Sequence, residues 1–209
     1  MKDLIEALNW RYAVKKFSTK KIPQNQIDTI MESLRLTPSS FGLQTWRFIL
    51  VEDKSIRERL VSASWDQRQV ADASHLLVLA RLNHVSNADV EKWTSFLAEK
   101  QNMPLDKKIA YTNMIKGYLN NTSQQIITSW LEKQLYIVLG NLLTTCALQE
   151  IDSCPMEGFN QKIYDDILGL NKRGLKSVLV CPIGYRAEDD PYQFLAKARY
   201  PMDEVVISI

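Results

Sequence analysis

The chain has 209 residues, 45% of them hydrophobic, which is enough for one substantial core and excludes a disordered polyelectrolyte. Its 26 basic and 24 acidic residues leave a net charge of +2, so no global field draws it to nucleic acid or to an anionic membrane. Three cysteines, Cys146, Cys154 and Cys181, are odd in number and lack metal or redox spacing, which fits small, reduced, buried thiols in a cytoplasmic protein.

Residues 3–10 predict a short amphipathic helix, and the N-terminal stretch MKDLIEALNWRYAVKKF mixes charged and apolar residues too evenly for a signal peptide or membrane span. A second helical pattern sets Ile27, Ile30, Met31 and Leu34 on one face and stops before Pro38. The loop PSSFGLQTW at 38–46 then offers the hydroxyls of Ser39 and Ser40 beside a flexible Gly42, either to a ligand or to its own turn. Strand signals follow at 47–51 (RFILV), 76–80 (LLVLA) and 177–183 (SVLVCPI), apolar runs that suit strands buried on both faces. His75, in ADASH just before the second run, reads as a packed, hydrogen-bonded histidine rather than an acid or base.

The block from about 86 to 127 is polar and helix-prone with little core pattern, the character of an insertion or lid. From 129 to 150 the chain predicts a helix apolar nearly all round, through Leu131, Leu135, Tyr136, Val138, Leu139, Leu142, Leu143 and Leu148. Such a helix needs cover on every side, so a large subunit interface is expected, with complete burial inside one subunit as the rival reading. Glu132, Lys133, Gln134, Asn141 and two threonines keep it short of a membrane pattern. Pro155, Met156, Glu157 and Gly158 form a turn between a short strand and a helix beginning near Asn160, and Gly158 admits close approach of a flat ligand. No repeat, linker or low-complexity segment divides the chain, so residues 1–209 are read as one domain.

Two basic clusters stand at opposite ends: Arg11, Lys15 and Lys16, then Lys197 and Arg199. Gripped from both sides, a phosphate would suit these cations, which points to a phosphorylated cofactor; a solvated basic face is the plain alternative. Only His75 and His84 are present, and no GxSxG, HExxH, Walker loop or GxGxxG occurs. No catalytic side chain and no metal ligand is therefore assigned, and in an enzyme the reactive group would come from a cofactor.

Taken in order, RYAVK at 11–15, PSSFGLQTW at 38–46, ADASH at 71–75, PMEGF at 155–159 and KAR at 197–199 resemble the nitroreductase family of FMN-dependent NAD(P)H oxidoreductases. The resemblance spans nearly the whole chain and is thinnest over 84–128. It implies an α+β fold, a mixed central sheet wrapped by helices, and an intertwined homodimer with FMN sites at the subunit interface. Carried over by motif, Arg11, Lys197 and Arg199 would bind the FMN phosphate, and Tyr12 and Ala13 would line the site by main chain. Lys15 would approach the pyrimidine side of the flavin, where negative charge gathers on reduction.

Pro38, Ser39, Ser40 and Gly42 would reach the flavin from the partner subunit, while Pro155 and Met156 would also contact the cofactor and the backbone at Glu157 and Gly158 would sit near its N5. Of the stretch Asp66 to Gln69, Gln69 is the favoured contact, and Phe41 and Tyr118 would wall the substrate pocket. Ala13 stands where the family often has serine, and Gly42 where some members have asparagine. The implied activity passes hydride from NAD(P)H through flavin N5 to a nitroaromatic, quinone or similar small electron-poor acceptor, by a ping-pong mechanism. Alternatives are a dedicated dihydropteridine or enone reductase, or a flavin-binding protein without turnover. Neither nucleic acid nor membrane enters this reading.

Overall fold

The computed structural model describes residues 3–209. Along the chain they form α1 (Leu4–Trp10), α2 (Gln24–Arg35), β1 (Trp46–Val51), α3 (Lys54–Val61), α4 (Gln69–Asp72), β2 (His75–Leu82) and α5 (Asn87–Gln101). There follow α6 (Leu105–Asn120), α7 (Gln124–Leu148), β3 (Asp152–Ser153), α8 (Gln161–Ile167), β4 (Leu175–Gly184) and α9 (Met202–Val205). The strands make one sheet in the order β1-β2-β4-β3, with each neighbouring pair antiparallel. A parallel element enters at the isolated bridge Ala13–Ser153, which lays the segment after α1 beside β3.

Alternation along β2 and β4 divides the core. Leu76 and Val78 share one layer with Val180 and residues of α3, α4 and α8; Leu77 and Leu79 share the other with Leu179, Cys181 and residues of α2 and α7. The register sets Val78 opposite Val180 and Leu77 opposite Cys181, so facing pairs point into the same layer. Each fully buried leucine here stabilises the fold by about 2 kcal/mol. Continuous apolar runs, usual in parallel sheets, occur in this antiparallel one because helices cover both faces. β1 forms one edge: Arg47 is exposed and Phe48, Ile49 and Leu50 are only partly buried.

Two expectations need correction. α7 begins at Gln124, five residues before the predicted 129, because Ser123 caps it by accepting from the Ile126 N–H, and Ile127 and Leu131 extend its apolar side. Those two residues reach the second correction, since the 86–127 block carries more core than its polarity predicts. α5 and α6 pack around Val85, Val90 and Ile115 together with Ile127 and Leu131, and the Thr112 hydroxyl donates to Thr94 at 2.8 Å inside that contact. The Ser86–Asp89 capping box fixes where this unit starts.

Some predicted apolar faces stay open. On α7, Leu131, Leu135, Val138 and Leu142 are buried, whereas Tyr136 and Ile137 are each 47% exposed. On α1, Ala7 is buried but Leu4, Ile5 and Leu8 face outward. Among the described residues, no helix is long and apolar enough to cross a membrane.

Candidate functional site

Both chain ends meet at one buried carboxylate. Asp190 accepts from the Lys15 N–H at 2.9 Å, the Lys16 N–H at 3.2 Å, the Tyr12 hydroxyl at 3.2 Å and the Tyr192 N–H at 3.0 Å. Burial pushes its pKa up, but the Lys15, Tyr192 and Lys16 N–H groups outweigh this and hold it below the usual carboxylate range. A second clamp lies beside it: Arg186 pairs with buried Asp152 at 2.6 Å, and its guanidinium rests over the rings of Trp10 at 4.3 Å and Tyr12 at 4.5 Å. The stapled segments enclose a cleft of about 410 Å³ lined by Arg11, Tyr12 and Ala13 from one end and Lys197 and Arg199 from the other.

That cleft carries uncompensated positive charge. Arg11 Nε is buried without a hydrogen-bond partner. Burial lowers the Arg11 pKa, with Arg199 adding to the shift, and burial followed by Arg11 and Arg199 lowers that of Lys197. Lys197 Nζ donates to the Arg11 carbonyl, and Arg199 to the Ala198 carbonyl at 2.6 Å. Among the described residues, none of these three cations is in an ion pair with a carboxylate.

Beyond the cleft the surface continues along Lys15, whose Nζ lies 3.8 Å from Cys154 Sγ. Burial raises the Cys154 thiol pKa; Lys15 and Gln69 oppose the rise. Buried Gln69 donates to the Gln67 side-chain oxygen at 3.1 Å, and Gln67 in turn donates to the Gly158 carbonyl at 3.3 Å. Met156 exchanges both backbone hydrogen bonds with Val180, at 2.8 and 3.1 Å, which leaves Pro155, Glu157 and Gly158 as the freer part of that turn. Tyr136 of α7 donates to the Glu157 carboxylate, which pushes the phenol up to about 12. A Cβ on Gly158 would stand 2.7 Å from the indole of Trp65.

Pro38, Ser39, Ser40, Phe41 and Gly42 assemble elsewhere, and none of them lines the basic cleft. The Ser40 N–H donates to Gln134 of α7 at 2.8 Å, and the Ser39 hydroxyl accepts from the Gln44 N–H at 3.0 Å, a local turn bond. Phe41 and Gly42 both have left-handed backbone, with φ of 56° and 68°. The Phe41 carbonyl accepts from Trp93 Nε1 at 2.9 Å and from the Tyr111 hydroxyl at 3.1 Å, so α5 and α6 pin this loop. Its ring meets Tyr118 edge-on at 5.6 Å and Trp130 at 6.1 Å. The chain thus holds two separate clusters, one cationic and one of hydroxyls and aromatic rings.

His75 is packed as expected, with Nδ1 2.9 Å from the Ser74 hydroxyl, and burial lowers its pKa despite Glu52 nearby. All three cysteines are buried and free. Sequence reasoning missed Asp190, the Asp152–Arg186 pair, Trp65 and Trp93, and it named Gln67 and Tyr111 only within the broader stretches 66–69 and 111–130. Their roles depend on contacts between distant segments, and only the unusual run of acids at 188–190 gave any local signal.

A four-stranded antiparallel sheet between helical layers, with a cationic cleft where segments from both ends of the chain meet, defines an α+β protein. Residues 8–185 match the Nitroreductase family, and the chain belongs to it; the family comprises FMN-dependent oxidoreductases. A Staphylococcus saprophyticus protein provisionally named an NAD(P)H nitroreductase is 36% identical over 97% of this chain and 95% of its own length. A Staphylococcus epidermidis structure, assigned provisionally as an NAD(P)H:FMN oxidoreductase, is 25% identical with a TM-score of 0.85, covering 100% of this chain and 97% of that one. A nitroreductase-fold structure from Exiguobacterium sibiricum, solved in complex with FMN, has a TM-score of 0.86 at 20% identity and covers 100% of this chain and 98% of that one.

Proposed function

We propose that the protein is a homodimeric, FMN-dependent oxidoreductase that uses NAD(P)H to reduce electron-poor aromatic acceptors, nitroaromatics and quinones foremost, in the cytoplasm. The observation that carries this reading is the buried, unpartnered Arg11 Nε beside Lys197 and Arg199. Three clustered cations that have no carboxylate partner among the described residues suit a phosphate dianion, each charge-assisted hydrogen bond contributing about 1.5–3 kcal/mol. Bound FMN supplies the centre that takes hydride from NAD(P)H and passes electrons to an acceptor occupying the same space in turn.

The chain's own residues do the rest. Asp190 holds the 12–16 segment, so Tyr12 and Ala13 would flank a bound flavin and Lys15 would bring a positive charge toward its pyrimidine side. Pro155, Glu157 and Gly158 present backbone to the reactive edge, with Met156 anchored behind them and Gln69 supporting the wall through Gln67. Pro38, Ser39, Ser40 and Gly42 complete the partner's flavin site, and Phe41 and Tyr118 wall its acceptor space. Support for two chains comes from the separation of the half-sites and from the open apolar residues of α1 and α7. No catalytic side chain is needed.

Purified protein should be yellow, or take up riboflavin 5′-phosphate, and lose that colour on anaerobic addition of NADH or NADPH. Flavin that binds but never bleaches would mean a binding protein without turnover. Comparing turnover of menadione, a nitrofuran, a dihydropteridine and an enone tests the acceptor class, and a strong preference for either of the last two would replace it.

A further inference from the structure

We infer that Arg57 and Lys21 form an anion site of their own, one that takes a small inorganic ion of halide size where α3 meets the loop ahead of β2. None of its groups lines the basic cleft. Arg57 is only 1% exposed, and its Nη1 donates to the Ala73 carbonyl at 2.5 Å, while its Nε is buried without a hydrogen-bond partner. Lys21 reaches the next carbonyl along, with Nζ 3.4 Å from the Ser74 oxygen. Two cations thus converge on one short loop, and a buried charge that lacks a counter-charge is strongly unfavourable.

The neighbouring carboxylates are engaged elsewhere. Arg68 holds Glu58 at 2.7 Å and Asp72 at 2.8 Å, and Asp53 accepts from the Ser55 N–H and hydroxyl at the start of α3. Glu52 sits 3.7 Å from His75 Nε2 with its side chain largely in water. Among the described residues, neither Arg57 nor Lys21 is in an ion pair. Burial lowers the pKa of both, and Arg57 followed by Lys54 lowers that of Lys21 further. On the inner side the Ser74 hydroxyl accepts from the Ile22 N–H at 2.9 Å and meets His75 Nδ1 at the same distance, so those groups are satisfied within the protein. The way in runs past Lys21, which is exposed. One buried N–H and one ammonium suit a single small anion; a nucleotide or an acidic peptide would need more donors than this corner offers.

The test compares the whole purified protein in sodium chloride and in sodium gluconate at equal ionic strength. Chloride at about 0.2 M should raise the melting temperature by about 2–4 °C. Lys21→Met, a change at an exposed position, should fold and abolish that difference. His75 and His84 are the chain's two histidines, so NMR can follow each. Burial first, then Arg57 and Lys21 against Glu52, hold the His75 pKa down, and an anion between those cations offsets them. His75 should therefore titrate at higher pH in chloride, with His84 unmoved. In a crystal soaked in bromide the anomalous peak should lie against Arg57 Nε. Melting and His75 titration that are the same in both salts would overturn the site even if bromide appears in the crystal. So would a chloride effect that persists undiminished in Lys21→Met, or a water at Arg57 Nε in the soaked crystal.

Discussion

Arg199 and Asp190 stand in opposite relations to the fold, the first exposed and the second buried among donors from both ends of the chain. The Arg199 side chain is exposed and bonds only the neighbouring Ala198 carbonyl, so the fold gains little from it. Arg199→Ala should therefore cut FMN affinity at least about tenfold, the worth of one charge-assisted contact, with no fall in melting temperature. Equal flavin content after dialysis would count against the phosphate assignment. Asp190 is the reverse case. Removing its carboxylate in Asp190→Ala strands donors from both chain ends at once and should cost about 3 kcal/mol in denaturant unfolding. The pH sign follows from its depressed pKa: the unfolded chain takes up the proton first, so Asp190's contribution is complete above the ordinary carboxylate range and is lost as pH falls through the folded value. Asp190→Asn should lack that part of the acid destabilisation, as thermal melts between about pH 6 and pH 3 would reveal.

Among the elements, α5 and α6 turn out to govern a loop that they do not contain. Trp93 and Tyr111 both donate to the Phe41 carbonyl, and a Cβ on Gly42 would meet Trp93 Cζ2 at 2.6 Å. The indole thus fills the space that a side chain at 42 would need, which accounts for glycine where some family members carry asparagine. Asparagine tolerates left-handed backbone, so the obstacle to Gly42→Asn is Trp93 and not φ. Gly42→Asn should lower stability by about 1–3 kcal/mol, and most of that loss should vanish when Trp93→Ala is combined with it. Additive losses in the double-mutant cycle would refute the coupling.

For the molecule as a whole, the proposed dimer would set a second copy against the open faces of α1 and α7. Sedimentation should give about 48 kDa, twice the chain mass of 24.1 kDa. Ile137→Arg, a charge placed on the exposed side of α7, should shift the protein toward monomer and release flavin together with the dimer. A monomer that retained full flavin would refute the two-chain site. By itself the sequence determined the order and kind of the main elements, because apolar periodicity and breakers such as Pro38 act locally, and its short ordered motifs carried the expectation that basic residues of both ends share one phosphate. Only the tertiary structure decided that Asp190 gathers those ends, that Trp65 lies on Gly158 and that Trp93 excludes a side chain at 42. These are contacts between residues far apart in the chain, and local spacing carries no record of them; they exist because the packed sheet and helices bring the segments together.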